Sequence, residues 1–250
     1  MQHTKTDEAI HADGCAPMTQ RVAGLAWPRI DTELAEQGWA TTGRLLDLPE
    51  CETLAAGYDA DQQFRSRVIM ARHGYGRGEY KYYAYPLPPL VAELRTSLYS
   101  RLAPIANCWE RVLRRNAHYP AEHEEYLQRC HRAGQLRPTP LVLRYAQGDY
   151  NCLHQDLYGD LSFPLQVAFL LSAPGEDFTG GEFVLTEQRP RMQSRVCVVP
   201  LIQGEGVVFA VNQRPVQGAR GAYRVTMRHG VSRLYSGQRF TLGIIFHDAK

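Results

Sequence analysis

Within "YNCLHQDLYGD", residues 150–160, a histidine and an aspartate stand two apart, His154 and Asp156. In an extended strand residues i and i+2 point to one face, so this imidazole and this carboxylate would be presented together. A third ligand is available in His229, in "YRVTMRHGVSRLYSGQRFTLGIIF", again a strand-like run and immediately before a glycine. Two neutral imidazoles and one carboxylate on one face of an octahedral ion leave adjacent positions open, which suits non-haem Fe(II). The same three side chains with one water could instead hold tetrahedral zinc. Ten residues after His229 comes Arg239, with Thr241 two further on. A guanidinium can bind a carboxylate through two parallel hydrogen bonds, and a same-face hydroxyl can add a third. That combination describes a pocket for a dicarboxylate whose other end reaches the metal.

For these residues to meet, strands must bring them together, and the chain changes character near residue 140. Before it helices dominate. Asp31 reads as the N-cap of a short helix ending at Gly38, and "DLPE" (47–50) as a capping-box-like start of another ending near Gly57. In "PLPPLVAELRTSLYSRLAPIANCWERVLRR" the residues Leu90, Leu94, Leu98, Leu102, Ile105, Trp109 and Leu113 recur at helical spacing, with Pro104 expected to kink or split the helix. A further polar helix is expected over residues 120–134. "GWATTGRLL" and "RSRVIMARHGYGRGEYKYYAYPLP" read as strands, the second broken by a glycine-rich loop. After residue 140 come eight short β-runs, "LVLRY", "NCLHQDL", "FPLQVAFLLS", "GGEFVLTE", "SRVCVVPL", "GEGVVFAV", "AYRVTMRHGVSRL" and "RFTLGIIFHD". Punctuated by glycine, proline and aspartate, they match a double-sheet jelly roll. The expected fold is α+β with a mainly β core. Residues 1–20 would be a disordered tail and 21–250 one domain, a helical buttress over about 28–135 and a jelly-roll core over about 140–248.

Bulk properties narrow the function classes. The apolar fraction of 44% is enough for a sizeable core, and no apolar run approaches the length of a membrane span. The polar N-terminus has no apolar centre of a secretory signal. Six cysteines without a C-x-x-C pair favour reduced thiols in a cytoplasm over disulfides or a structural zinc site. The net charge of +2 hides an asymmetry: nine arginines lie between Thr186 and Arg239, opposed by Glu187 and Glu205 alone. Arginine's planar fork suits carboxylate and phosphate, so this third of the chain would face anions, or else form a solvated basic face.

The motifs taken together resemble a known family. "H-Q-D … R-H-G-V-x(7)-R-F-T", with "LRYAQGDYNCLHQD", "FTGGEFVL" and "GEGVVF" in this order, is similar to the Fe(II)- and 2-oxoglutarate-dependent dioxygenases of double-stranded β-helix fold. The spacing is that of their prolyl hydroxylase-like members, and the likeness covers about residues 140–248. It implies His154, Asp156 and His229 as iron ligands, and Arg239 and Thr241, helped by Tyr145, as the holders of the distal 2-oxoglutarate carboxylate. With O2 as second co-substrate, decarboxylation would drive hydroxylation of a substrate C–H bond, or demethylation of an N-methyl base. The alkylated-base repair (AlkB-like) oxygenases carry a second arginine six residues after the first, where this chain has Ile245. Over its whole length, including "GEYKYYAYPLP" and "TEQRPRMQSR", the chain resembles a bacterial oxygenase family described as acting on damaged nucleic acid.

Other residues are candidates for substrate contact. "RHGYGRGEYKYYAY" interleaves Arg72, Arg77 and Lys81 with Tyr75, Tyr80, Tyr82 and Tyr83, which suits the phosphates and bases of a single strand. It would equally suit a peptide groove or a tyrosine-rich core strand. Asn212, Gln213, Arg214, Gln217 and Arg220 are expected to form a polar loop near the mouth of the site. His118, His123 and His131 with Cys130 are expected on a helix surface, and His247 as a core or edge histidine. Partners therefore stay open between single-stranded or damaged nucleic acid and a peptide or small molecule, without a membrane. A non-enzymatic metal-binding jelly roll is the third, weaker alternative.

Overall fold

The computed structural model of the chain describes residues 16–219 and 221–250. The expected tail lies outside the described residues up to residue 15, but from Met18 the chain is already helical. In α1 (Met18–Ala23), Met18 and Val22 are buried, one turn apart on one face, and the helix packs on α4 (Pro89–Val112). The tail therefore cannot extend to residue 20.

The helix α2 (Trp27–Gln37) starts earlier than Asp31, because Pro28 occupies its first turn, where a missing N–H costs nothing. It ends as expected at Gly38, whose φ of 82° places it in the left-handed region. A Cβ there would sit 2.5 Å from Arg214 Cδ, so glycine is required twice over. The strand β1 (Trp39–Arg44) follows, then α3 (Leu48–Ala56), opened by a complete capping box. Asp47 accepts from the Glu50 amide at 2.8 Å, and the Glu50 carboxylate accepts from the Asp47 amide at 2.9 Å.

Next come β2 (Phe64–Ile69), β3 (Gly76–Arg77) and β4 (Glu79–Tyr83). Helix α4 then runs unbroken through Pro104, burying Leu94, Leu98, Leu102, Ile105 and Trp109 along one stripe. Pro104 does not split it. The polar helix is α5 (His123–Arg132), and here His123 departs from expectation: it is buried, its imidazole donates to the Phe246 carbonyl at 2.8 Å, and its ring lies 4.7 Å from that of Tyr99.

All eight β-runs after residue 140 form strands: β5 (Leu141–Ala146), β6 (Tyr150–His154), β7 (Leu165–Leu170), β9 (Phe183–Gln188), β10 (Arg195–Val199), β11 (Glu205–Ala210), β13 (Gly221–Val231) and β14 (Leu234–Ile244). Two more join them, β8 (Phe178–Gly180) and β12 (Gln213–Gly218). The second overturns the expected polar loop: Gln213 pairs with Thr226 and Gly218 with Gly221 in a hairpin with β13. Arg220, also placed in that loop, lies outside the described residues.

The strands form two open, mostly antiparallel sheets. The larger runs β1-β11-β7-β14-β5-β4-β2, with β8 on β14; the smaller runs β10-β9-β13-β6-β3, with β12 on β13. This is the double-stranded β-helix anticipated. Two apolar clusters follow from strand alternation. One face of the large sheet, with Val142, Val167, Val208, Leu242 and Ile244, packs on the helices. The other face, with Ala168, Leu170 and Phe209, meets Phe183, Leu185 and Val231 of the small sheet. The described cysteines are free thiols. Among the described residues no helix is long and apolar enough to cross a membrane.

Candidate active site

Between the sheets lies a cavity of about 420 Å3, a volume suited to a small ligand. Its candidate metal ligands come together through one strand pair. In the β13–β6 pairing His229 lies opposite His154, and the register then shifts before Val231. The shift falls at Gly230, where a Cβ would stand 2.6 Å from the Asn151 carbonyl oxygen. Only glycine lets the strands approach there, and the bulge re-aims the side chains beside it. Asp156 lies just beyond β6. The intervening Gln155 ties this segment to β13, its Nε2 donating to Met227 O and Asn212 Oδ1, both at 2.8 Å.

His154 Nε2 lies 3.5 Å from Asp156 Oδ1, and His229 Nε2 lies 3.3 Å from Asp156 Oδ2. One ligand atom from each of the three lies within 4.8 Å of the others, close enough to converge on one ion. The bonds around them prepare the donors. His154 Nδ1 donates to the Cys152 carbonyl at 2.8 Å, which leaves the Nε2 lone pair free to ligate. Tyr158 Oη donates to Asp156 Oδ1 at 2.7 Å. Burial and the Asp156 charge push the Tyr158 phenol well above its ordinary range, so it remains a donor.

The electrostatics keep the carboxylate ionised beside the two imidazoles. Burial and the neighbouring His154 lower the pKa of His229. Burial would also lower His154, but the hydrogen bond and charge of Asp156 outweigh it and raise the group. Asp156 is 8% exposed; burial alone would raise its pKa, yet the two histidines hold it well below the ordinary carboxylate range. An ionised carboxylate beside two imidazoles is the chemistry of a divalent-metal site, and the donor set fits Fe(II).

At the other end stands Arg239, 1% exposed. It donates to Thr241 Oγ1 at 2.5 Å, and its Nε has no partner. Among the described residues it makes no ion pair; the rings of Tyr145 and Phe178 lie 5.7 and 5.8 Å from it instead. Burial lowers its pKa to about 10, still leaving it charged at neutral pH. A buried, unpaired guanidinium with a hydroxyl beside it fits a carboxylate from outside the chain. Tyr145, directly opposite Arg239 on β5, accepts from Asn151 Nδ2 at 3.3 Å.

The substrate candidates divide. Tyr80 lines the cavity with Tyr75, which is half exposed. Tyr82 lies one layer back, its ring edge-on to both Tyr80 and Tyr158. Lys81 does not reach the cavity. It points to the opposite face of β4, is 5% exposed, and donates to Tyr58 O and Asp61 Oδ1 at 2.8 and 2.6 Å. Arg77 is exposed beside Asp149, 3.9 Å away, outside the cavity lining. Arg214 is fully buried: it ion-pairs with Glu187 and donates to the Ala35 and Glu36 carbonyls at the end of α2, a structural clamp at 2.9 and 3.0 Å. His247, as expected, is a core histidine, accepting from the Phe163 amide.

Among the lining residues that escaped the sequence reading are Tyr158, Gln166 and Phe209. Signals for two of them existed. Tyr158 follows Asp156 by two, and Gln166 is the one polar residue of an otherwise apolar strand.

Residues 78–249 match a family, Oxygenase-NA, described as "Oxygenase, catalysing oxidative methylation of damaged DNA". An uncharacterized protein of Mycobacterium tuberculosis, Rv2227, is 50% identical over 164 residues, 66% of this chain and 70% of that protein. Two solved structures share the fold. A Trichoplax adhaerens prolyl hydroxylase, in complex with a hypoxia inducible factor oxygen degradation domain peptide fragment, has a TM-score of 0.55 at 16% identity, covering 94% of this chain and 93% of that one. A Pseudomonas putida prolyl-4-hydroxylase has a TM-score of 0.51 at 14% identity, covering 90% and 99%.

Proposed function

Because the chain belongs to the Oxygenase-NA family, and is therefore an oxygenase and an oxidoreductase, we propose that it oxidises damaged nucleic acid with Fe(II), 2-oxoglutarate and O2. The observation that carries this is a single cavity holding the His154, Asp156 and His229 donors together with the unpaired guanidinium of Arg239. The iron, when bound, supplies O2 activation coupled to decarboxylation, with succinate, carbon dioxide and a hydroxylated substrate as products. On an N-methyl base the hydroxymethyl group leaves as formaldehyde.

The chain's own part is positional. Arg239 and Thr241 hold the distal carboxylate of 2-oxoglutarate, with the buried Tyr145 ring beside them. Tyr158 fixes the carboxylate of Asp156, and the Cys152 carbonyl fixes the tautomer of His154. Phe183 and Phe209, buried against His229 with ring centroids 6.0 and 4.6 Å away, keep water from the ligands. Tyr75 and Tyr80 offer aromatic faces to an unstacked base.

A second reading is favoured by the prolyl hydroxylase-like spacing from His229 to Arg239 and by the peptide-bound relative of the same fold: hydroxylation of a protein side chain or small molecule. Succinate release measured across methylated single-stranded oligonucleotides, peptides and amino acids separates the two. Stimulation by methylated oligonucleotides with stoichiometric formaldehyde supports nucleic-acid repair; stimulation by peptides alone would replace it.

A further inference from the structure

Every residue of β7 is buried, and five of its six are apolar; the sixth is Gln166. Strand alternation sends Leu165, Val167 and Phe169 toward the helices, while Ala168 and Leu170 belong to the inter-sheet core. Gln166 shares their face, lines the cavity and is 4% exposed. Its Oε1 is buried without a hydrogen-bond partner, and among the described residues its amide makes no hydrogen bond at either end. A buried, unsatisfied carboxamide destabilises the free protein, and such groups in a folded core call for an explanation.

The register of the large sheet says what part of the cavity it serves. On the cavity floor Thr241 lies opposite Leu170 and Gly243 opposite Ala168, so Gln166 lies beyond them, away from Arg239. Four residues of strand separate it from Leu170, roughly 13 Å. On its other side Gln166 pairs with Phe209, whose ring abuts His229. A five-carbon diacid held at Arg239 and reaching the metal ligands spans the near part of the floor. The end at Gln166, beyond Gly243 and beside Phe209, is left for the substrate. Tyr80 and Tyr158 wall the same cavity.

Resting on the nucleic-acid reading above, we propose that Gln166 determines substrate specificity, presenting a donor and an acceptor side by side to the edge of an extruded base. A carboxamide pairs in this bidentate way with the N6 amino group and N7 of adenine, so an N-methylated adenine is the ligand its chemistry fits. Because no described residue holds either end, the amide is free to turn either way round toward the edge it meets.

The test is equilibrium binding by fluorescence anisotropy, with Fe(II) and 2-oxoglutarate under nitrogen so that no turnover occurs. Single-stranded oligonucleotides with one N-methylated adenine or one N-methylated cytosine are titrated with the full chain. Gln166→Leu should bind the adenine oligonucleotide about ten- to hundred-fold more weakly than wild type and lose the preference between the two. Its melting temperature should be equal or higher, since the orphaned amide is gone. Gln166→Glu, which keeps acceptors and loses the donor, should fall between; Gln166→Met, unbranched and of similar length, replaces the leucine variant if that one fails to fold. Wild-type binding with Gln166→Leu within two-fold and the same base preference overturns the assignment alone. Failure of the wild type to bind any oligonucleotide overturns the nucleic-acid reading, and this assignment with it.

Discussion

Replacing Arg239 with methionine should have two effects of opposite sign. The guanidinium is fully buried and makes no ion pair among the described residues, and burial lowers its pKa from 12.5 to about 10. At about 1.4 kcal/mol per tenfold change in acidity, this corresponds to about 3 kcal/mol of destabilised charge in the ligand-free protein. Methionine fills much of the same volume beside Tyr145 and Phe178 without that cost. Lost contact with Thr241 offsets part of the gain, so the ligand-free variant should be more stable by about 1–2 kcal/mol in urea unfolding. Its affinity for 2-oxoglutarate should fall. Two charge-assisted hydrogen bonds at about 1.5–3 kcal/mol each predict a loss of about 10²- to 10⁴-fold, measured by anaerobic titration of the Fe(II)-loaded protein. Arg239→Lys, which keeps a charge but not the planar fork, should lie between. A methionine variant that is destabilised, yet binds 2-oxoglutarate within three-fold of wild type, would refute the assignment of Arg239 as a carboxylate anchor.

Three further outcomes follow from the packing and the charges. Tyr158→Phe removes the donor that holds Asp156 Oδ1 and should weaken Fe(II) or Co(II) binding about 10- to 100-fold; unchanged metal affinity would deny Tyr158 an orienting part. Arg214→Ala leaves the buried Glu187 with only the partly exposed Arg189 and Arg195 and strands two helix-end carbonyls, and should cost about 2–3 kcal/mol in chemical denaturation, against well under 1 kcal/mol for an exposed arginine. His123 is buried neutral, with its pKa lowered to about 3, chiefly by burial. Its unfolded form protonates near 6.5, so stability from this group is intact above pH 6.5 and declines as pH falls toward 3. At pH 5 the loss is about 2 kcal/mol, and His123→Gln should flatten the pH dependence of unfolding by about that amount.

The legible part of the site was the part with a strict period. His154 and Asp156 two apart in a strand, a second histidine beside a glycine, and an arginine on the following strand required only that strands pair, and β6 and β13 do so with His154 opposite His229. Lys81 failed for a reason the same period contains: in "EYKYY" alternation places Tyr80 and Tyr82 on one face and Lys81 on the other. Arg214 failed because "QRPVQG", polar and carrying a proline, reads as a loop; paired with β13 it becomes a strand whose alternate residue turns inward to α2. The polar neighbours of His123 suggest an exposed position, but only the packing of α5 over Phe246 decides which face of that helix is covered. Gln166 shows the limit from the other side. A lone polar residue in a buried strand signals either a satisfied hydrogen bond or a binding group, and the neighbours that separate these come from β11 and β14.

The most direct measurement is optical. Adding Fe(II) and 2-oxoglutarate to the protein under nitrogen should produce a weak visible charge-transfer band from the chelated keto acid, at one equivalent of each. The band should be lost in His154→Ala, a variant that otherwise unfolds cooperatively. Absence of the band in the wild type under saturating Fe(II) and 2-oxoglutarate, or its persistence in His154→Ala, would contradict an iron and 2-oxoglutarate centre built on His154, Asp156 and His229.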